Sequence, residues 1–326
     1  MKYDVYGLGN PLVDVIVNID DDMHRELGLT KGTMNLVDQD RQAEILDKTS
    51  QKTPLVALGG SCANSMVMIA QLGGSSAFCG NLGNDAFAHE YEAQLTKAGV
   101  ESFAKKSEGM TGSTVILVSP DAERTMNTHL GQCQELTKEA VNLEAIGVSK
   151  YLYVEGYLWD TPKQQEAVLH ALDHAKKHGI KIALSLSDAF VVDRHQEAFK
   201  TLLKDYVDLV FCNQAEASTM TGEKDPAKII EALHKWVDHV ALTLGKEGSI
   251  LSVDGIQYHI DAISVDAIDT TGAGDSFAAG YLFGLTQGYE IAASGRLAAH
   301  SASVVVSQIG PRYDGDLKEK LKDHIQ

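Results

Sequence analysis

Long apolar runs, basic charge and paired cysteines are what this sequence has little of, and each shortage narrows what it can be. No stretch approaches the roughly 18 uninterrupted apolar residues that a membrane span requires. Lysine and arginine total 28 against 45 aspartates and glutamates, a formal net charge of -17. That balance leaves no basic face for nucleic acid or an anionic membrane surface, so neither is expected as a partner. A phosphate-bearing ligand would have to be met by local cations or by backbone amides. Cys62, Cys79, Cys133 and Cys212 are scattered with no C-x-x-C pair, so they read as buried, reduced thiols of a cytoplasmic protein. The twelve histidines show no H-E-x-x-H or comparable ligand spacing. His170, His174 and His178 read instead as the exposed stripe of an amphipathic helix whose apolar positions are Ala171, Leu172 and Ala175.

What is present is ordinary globular material: 44% hydrophobic and 22% charged residues over 326 positions, enough for a sizeable core. The length suits one large α/β domain with an appendage. The opening stretch, MKYDVYGLGNPLVDVIVNID, carries acids inside its apolar run and no small-residue cleavage site, so a strand is expected there rather than a leader peptide. Buried strands are expected at 3–9, 76–83, 151–158, 181–187, 208–213 and 239–245. Helices are expected at 61–72, 85–98, 162–178, 195–205, 214–222, 226–237, 275–287 and 290–307. This alternation predicts a doubly wound α/β fold with a mostly parallel sheet. Residues 12–38 and 100–130 break the rhythm with short β-branched runs punctuated by glycine, proline and aspartate. They predict a small lid of antiparallel strands over the carboxyl ends of the main sheet, where open α/β sheets bind ligands. The large domain would then hold 1–11, 39–99 and 131–326.

Residues 269–276, DTTGAGDS, set the turn Gly272-Ala273-Gly274 directly before an apolar helical run, with Asp269 and Asp275 on either side. A glycine-rich entry to a helix exposes unpaired amides at the positive end of the helix dipole, which makes an anion cradle. Asp275 is then either a helix-capping carboxylate or a base beside an oxyanion site, suited to deprotonating a hydroxyl that attacks a phosphoryl group. The commonest phosphate grip, G-x-x-x-x-G-K-[ST], is absent. GLGNPL, from Gly7 to Leu12, begins like a dinucleotide fingerprint, but Leu12 stands where the third glycine belongs and no helix follows. That argues against a nicotinamide enzyme.

DTTGAGDSFAAG, GGSCANSMVMIAQLGG and GNLGNDAFAHEYEAQL resemble the C-terminal and N-terminal signatures of the ribokinase-like (PfkB) carbohydrate and nucleoside kinases, in the right order and across nearly the whole chain. Within that family GLGNPLVDV, LSLSDAF, NQAEA and SASVVVSQIGP look most like the adenosine kinases. The resemblance implies a phosphotransferase in which Asp275 is the general base and the amides of Gly272, Ala273 and Gly274 neutralise the transferring phosphoryl. It implies that Arg124 closes over the phosphates, and that Asp14 accepts hydrogen bonds from ribose hydroxyls. Asn10, Gly59, Gly60 and Asn64 would line the acceptor pocket. Tyr157, followed by Leu158 and Trp159, stands where the family usually offers an aromatic pair for the purine. Thr243, Gly245 and Thr271 would contact the nucleotide, with Lys246 nearby. Asn213 and Glu216 would order Mg²⁺ and its waters beside ATP, and SQIGP with the residues before Asp269 would form a monovalent-cation loop for K⁺.

Taken without the family, several of these residues keep a plainer alternative. Asp14 alternates with valines as an exposed strand residue would, Asn10 could simply end a strand, and Arg124 could be a solvated turn residue. Gly59 and Gly60 could be only a turn before a helix. Asn213 and Glu216 have the spacing of a capping box. The function expected is ATP-dependent phosphorylation of a nucleoside 5′-hydroxyl, adenosine first. A sugar kinase of the same family and a non-catalytic nucleoside-binding protein are the alternatives, in a monomer or homodimer.

Overall fold

The structure, a computed structural model, describes residues 1–121 and 123–325. Its strands in chain order are β1 (Tyr3–Leu8), β2 (Val13–Asn18), β3 (Met34–Leu36), β4 (Leu55–Leu58), β5 (Ser76–Cys79), β6 (Asn81–Leu82), β7 (Glu101–Ser102), β8 (Lys105–Lys106), β9 (Ser113–Val118), β10 (Arg124–His129), β11 (Ser149–Glu155), β12 (Lys181–Ser185), β13 (Leu209–Asn213), β14 (His239–Thr243), β15 (Ser249–Val253) and β16 (Ile256–Ile260). The helices are α1 (Asp21–Glu26), α2 (Gln39–Lys48), α3 (Ser61–Leu72), α4 (Ala86–Lys97), α5 (Leu143–Gly147), α6 (Pro162–Lys177), α7 (Ala189–Asp205), α8 (Gln214–Thr221), α9 (Pro226–Leu233), α10 (Ala273–Thr286), α11 (Ile291–Val306) and α12 (Leu317–Lys320).

Nine strands form the main sheet in the order β16-β15-β14-β13-β12-β11-β1-β5-β7, and the pairings from β14 to β7 are parallel. The period of two along a strand divides each central strand between two cores. Leu152, Val154, Ile182, Leu184, Val210 and Cys212 face the layer of α6 and α7. Their neighbours Tyr153, Ala183, Leu209 and Phe211 face the layer of α3, α10 and α11. Both faces are covered, which is why these strands read as continuous apolar runs. On α6 the buried positions include Ala171, Leu172 and Ala175; the rings of His174, half-buried beside Gly147, and His178, exposed at the C-cap, stack at 4.0 Å, so the histidine stripe is only partly exposed. All four cysteines are buried free thiols. Among the described residues no helix is long and apolar enough to cross a membrane.

A second sheet, β3-β10-β9-β2-β4, forms the lid. It is mixed rather than antiparallel: β2 pairs with β9 and β10 with β3 in parallel, while β9–β10 and β2–β4 are antiparallel. Its extent also differs from 12–38 plus 100–130. Residues 39–58 belong with it, because β4 pairs with β2 and α2 packs beneath it. On α2 only Gln42 and Ile45 are buried; Ile45 meets Val15, Val17, Val115 and Leu117, and Gln42 Nε2 donates to Ser113 O at 2.9 Å. A single buried apolar side chain in ten residues is a weak stripe to read in the sequence. Conversely β7 lies at the edge of the main sheet and β8 pairs with β6, so 101–106 lie outside the lid sheet. One helix starts earlier than periodicity suggested. Asp188 caps α7 by accepting from Phe190 N at 2.7 Å, and the backbone then breaks at His195 (φ -127°), where the apolar pattern resets.

Candidate active site

Two cavities meet at the turn before α10. One, of about 390 Å³, lies under the lid and is bounded by Asn10, Asp14, Gly60, Asn64, Arg124, Glu155, Tyr157, Gly272 and Asp275 among others. The other, of about 530 Å³, lies between Thr243, Gly245 and Lys246 on one side and Ala273, Gly274, Phe277 and Ala302 on the other. Thr270 lines both.

The turn itself is braced from below. Asp269 is buried; its Oδ1 accepts from Thr271 N at 2.9 Å, its Oδ2 from Gly310 N at 2.8 Å, and it ion-pairs with Arg124 of β10. Ile268 N and Asp269 N also donate to Val306 O, which lays the segment before the turn against the C-terminal end of α11. Gly272 caps α10 with φ 77°, and a Cβ there would come within 2.5 Å of Pro311 O, so only glycine fits. Ala273 N donates to Thr270 O at 3.2 Å, whereas the amides of Gly274 and Asp275 have no protein acceptor among the described residues. The space beside the Gly274 α-carbon is open. This is a helix N-terminus prepared for an anion.

Asp275 does not cap α10. Its side chain reaches across to α3, accepting from Ser61 Oγ at 2.6 Å and Asn64 Nδ2 at 2.8 Å, while its carbonyl accepts from Ser65 Oγ at 3.0 Å. Burial pushes its carboxyl above the usual range; the bonds from Ser61 and Asn64 and the charge of Arg312 pull it back. The group lines the cavity under the lid, and its chain neighbour Gly274 lines the other.

Asp14, on β2, is 8% exposed rather than a solvated strand residue. Burial pushes its carboxyl up to about 7, against the pull of Arg312 and Arg124. Gly59 lies against it: a Cβ at that position would sit 2.3 Å from Asp14 Oδ2. Gly60 (φ 88°) approaches Asn10 O. Asn10 is buried, its Oδ1 accepting from Gln164 Nε2 at 2.6 Å and its Nδ2 lacking any partner. Tyr157 faces the same cavity with its hydroxyl 3.4 Å from Ser187 O.

Two residues escaped sequence reasoning. Glu155, buried at the end of β11, accepts from Asn10 N at 2.7 Å and from Cys62 N at 2.8 Å, tying β1 to the first turn of α3. Burial pushes it up to about 7. Its signal was an acid ending an apolar strand. Arg312 donates from Nε to Asn64 Oδ1 at 2.8 Å and from Nη2 to Gly59 O at 3.1 Å. Its signal was only that cations are scarce.

The nucleotide-side candidates divide. Thr243, Gly245 and Lys246 line the larger cavity, but Thr271 opens to the smaller one. Asn213 and Glu216 line neither. They form a capping box for α8: Asn213 Oδ1 accepts from Glu216 N at 2.9 Å, Glu216 Oε2 from Asn213 N at 3.0 Å, and Glu216 Oε1 from Asn213 Nδ2 at 2.5 Å. Glu216 is pushed up to about 7 by burial, and Asp188 and Asp275 add to the rise. Among the described residues no cluster of three or more histidine, cysteine or acidic side chains could hold a metal ion.

A doubly wound sheet with a β lid, an acid-lined cavity beneath it and a glycine turn dividing that cavity from an apolar one define a ribokinase-like protein. The chain belongs to the pfkB family of carbohydrate kinases, whose profile matches residues 31–317. It is 36% identical to the adenosine kinase from Sinorhizobium meliloti, whose crystal structure superimposes with a TM-score of 0.94 over 99% of both chains. A probable sugar kinase protein from Rhizobium etli CFN 42 is 35% identical, with a TM-score of 0.93 over 99% of this chain and 98% of that one. Guanosine-inosine kinase of Escherichia coli K12 is 25% identical over 254 residues, 75% of this chain but only 58% of the relative's length.

Proposed function

We propose that the protein is an ATP-dependent kinase that phosphorylates the 5′-hydroxyl of a nucleoside, with adenosine the first acceptor to test. The observation that carries this is the mixed character of the cavity under the lid. Period-two alternation turns Thr114 with Ile116, and Arg124 with Met126 and Thr128, toward it. Leu12, Met34, Leu36 and Leu130 extend the apolar wall, while Asp14, Asn10 and Asp275 supply acceptors and donors. A nucleoside has both characters, a flat apolar base and a polyol. A free sugar would press hydroxyls against the apolar wall without partners, which is costly.

In this scheme Asp14 accepts from the ribose diol, and Asn10 Nδ2 supplies a donor. Asp275 removes the 5′-hydroxyl proton as that oxygen bonds to the γ-phosphorus and the bond to ADP breaks. The amides at the start of α10 take up charge on the moving phosphoryl. Arg124, whose Nη1 is buried without a partner, supplies a further donor to phosphate. ATP occupies the larger cavity, its base against Phe277 and the alanines. Among the described residues the side chains offer no metal cage, and Asn213 and Glu216, turned to each other in the capping box and lining neither cavity, do not fit one; Mg²⁺ would arrive on ATP with its own water shell. Bound so, Mg²⁺ neutralises phosphate charge. Backbone carbonyls around SQIGP are the place for K⁺.

The test is ADP release with Mg-ATP across adenosine, guanosine, inosine, ribose and fructose, with and without K⁺. No ADP above background with any acceptor refutes kinase activity and leaves a binding protein. Preference for a free sugar refutes the nucleoside assignment.

A further inference from the structure

We infer that Arg312 is a positioning residue for Asp275, acting through Asn64 to fix which way the amide and the carboxylate face. This rests on Asp275 having the role given above. Arg312 follows α11, in the loop after Gly310 and Pro311, and its guanidinium is itself held in place. Nη2 donates to Gly59 O at 3.1 Å, and the same carbonyl accepts from Tyr91 OH at 2.8 Å. The cation lies 5.9 Å from the centre of the Tyr91 ring. Tyr91 is fully buried, so this platform is rigid.

An asparagine amide presents a donor at one end and an acceptor at the other, and the two ends are nearly isosteric. Arg312 resolves the choice for Asn64, because a guanidinium can only donate. Nε takes Asn64 Oδ1 at 2.8 Å, which turns Nδ2 toward Asp275 Oδ2, also at 2.8 Å. Asn64 is 3% exposed, so without Arg312 its carbonyl would be buried unpaired and only the carboxylate itself would hold the Nδ2 end toward Asp275. Gly59, the other residue Arg312 grips, is the one packed against Asp14. One cation therefore supports two carboxylates of the cavity, Asp14 and Asp275. It is also their counter-charge: Arg312 leads the influences that lower Asp14 and is among those that lower Asp275. Arg124, paired with Asp269, also lowers Asp14 but is not among the groups that lower Asp275. Elsewhere Asp275 is faced by groups that do not stabilise its charge: Asp14 on β2, Cys62 on α3, Tyr153 and Glu155 on β11, Tyr157 beyond it, and Glu216 on α8.

Two variants test this. Arg312→Met keeps the stem and removes charge and donors; Arg312→Lys keeps charge but not the two-point grip. With the acceptor found best in the panel, Arg312→Met lowers kcat about 10- to 100-fold, leaves both KM values within about threefold, and moves the acid limb of the kcat profile upward by about half a unit or more. Arg312→Lys restores the limb but not the full kcat. Repeating the profile in Glu155→Gln assigns the limb, since Glu155 titrates nearby. If Arg312→Met keeps kcat within about twofold, or loses kcat with the limb unmoved, the inference is wrong. If wild type transfers phosphate to no acceptor, the kinase reading fails instead. The inference is then judged from the ¹⁵N side-chain amide signal of Asn64, assigned with Asn64→Ser. Slow solvent exchange in wild type and fast exchange in Arg312→Met support it, and unchanged exchange overturns it.

Discussion

Replacing Asp14 with asparagine should make the protein more stable at alkaline pH while weakening its grip on the acceptor. Asp14 is 8% exposed and its carboxyl is pushed from 3.8 up to about 7, mainly by burial. Across that window the folded protein holds a proton that the unfolded chain has released. Its contribution to stability is therefore full below 3.8 and is lost as pH rises through about 7. Three pKa units set an upper limit of about 4 kcal/mol on the penalty above pH 8. An asparagine amide in the same place leaves a donor poorly paired, at about 1–2 kcal/mol, so the net gain is about 2 kcal/mol. For a chain of this length that is roughly 3 °C in Tm. Thermal melts of wild type and Asp14→Asn from pH 5 to 8.5 measure it. The variant should gain on wild type steadily as pH rises, and the acceptor KM should rise about 10-fold through loss of a charged acceptor. A variant that melts below wild type at pH 8, or a difference that does not grow with pH, refutes the reasoning.

Three further outcomes follow from the site. Asp275→Asn should lower kcat by about 10² to 10⁴ with little change in either KM; a variant with nearly full kcat rules the base assignment out. Arg124→Lys should reduce turnover, because lysine cannot hold Asp269 and reach phosphate with a planar fork; steady-state rates equal to wild type would return Arg124 to a structural role. Gly272→Ala should lose about 1–3 kcal/mol of stability in denaturant titration, since the backbone is at φ 77° and the new methyl meets Pro311 O. An unchanged midpoint would show that the turn relaxes freely.

The parallel core was legible because its strands are buried on both faces and its helices carry clear stripes, as β11, β12, β13 and α6 show. The lid was legible only as an interruption. Its mixed pairing depends on which strands lie side by side, and α2 and β4 joined it through a single buried Ile45 and a backbone ladder, neither of which leaves a period in the sequence. The site divides the same way. Gly272, Gly274 and Asp275 could be placed because the anion cradle is local, built from consecutive residues. Glu155 and Arg312 could not, because each acts on residues far away in the chain: Glu155 on Asn10 and Cys62, Arg312 on Gly59 and Asn64.

That division has a physical origin in the charge of the chain. Asp14, Glu155 and Asp275 line one cavity, and Asp269 lies just beneath its floor. Among the described residues of the cavity wall Arg124 is the one cation, and it is tied to Asp269. Burial first, and then repulsion between carboxylates so placed, makes these groups resist ionisation, and the elevated values at Asp14 and Glu155 record that cost. A polyanionic donor entering beside them needs positive potential that the surface does not provide at a net charge of -17. In the scheme proposed, the amides at the start of α10 supply it to phosphate, and Arg312 supplies it from behind, through Asn64, beside the proposed base. Placing the cation behind the wall leaves Asp275 bonded to Ser61 and Asn64 and not to a guanidinium. It also makes the residue invisible to any search for side chains that line the cavity.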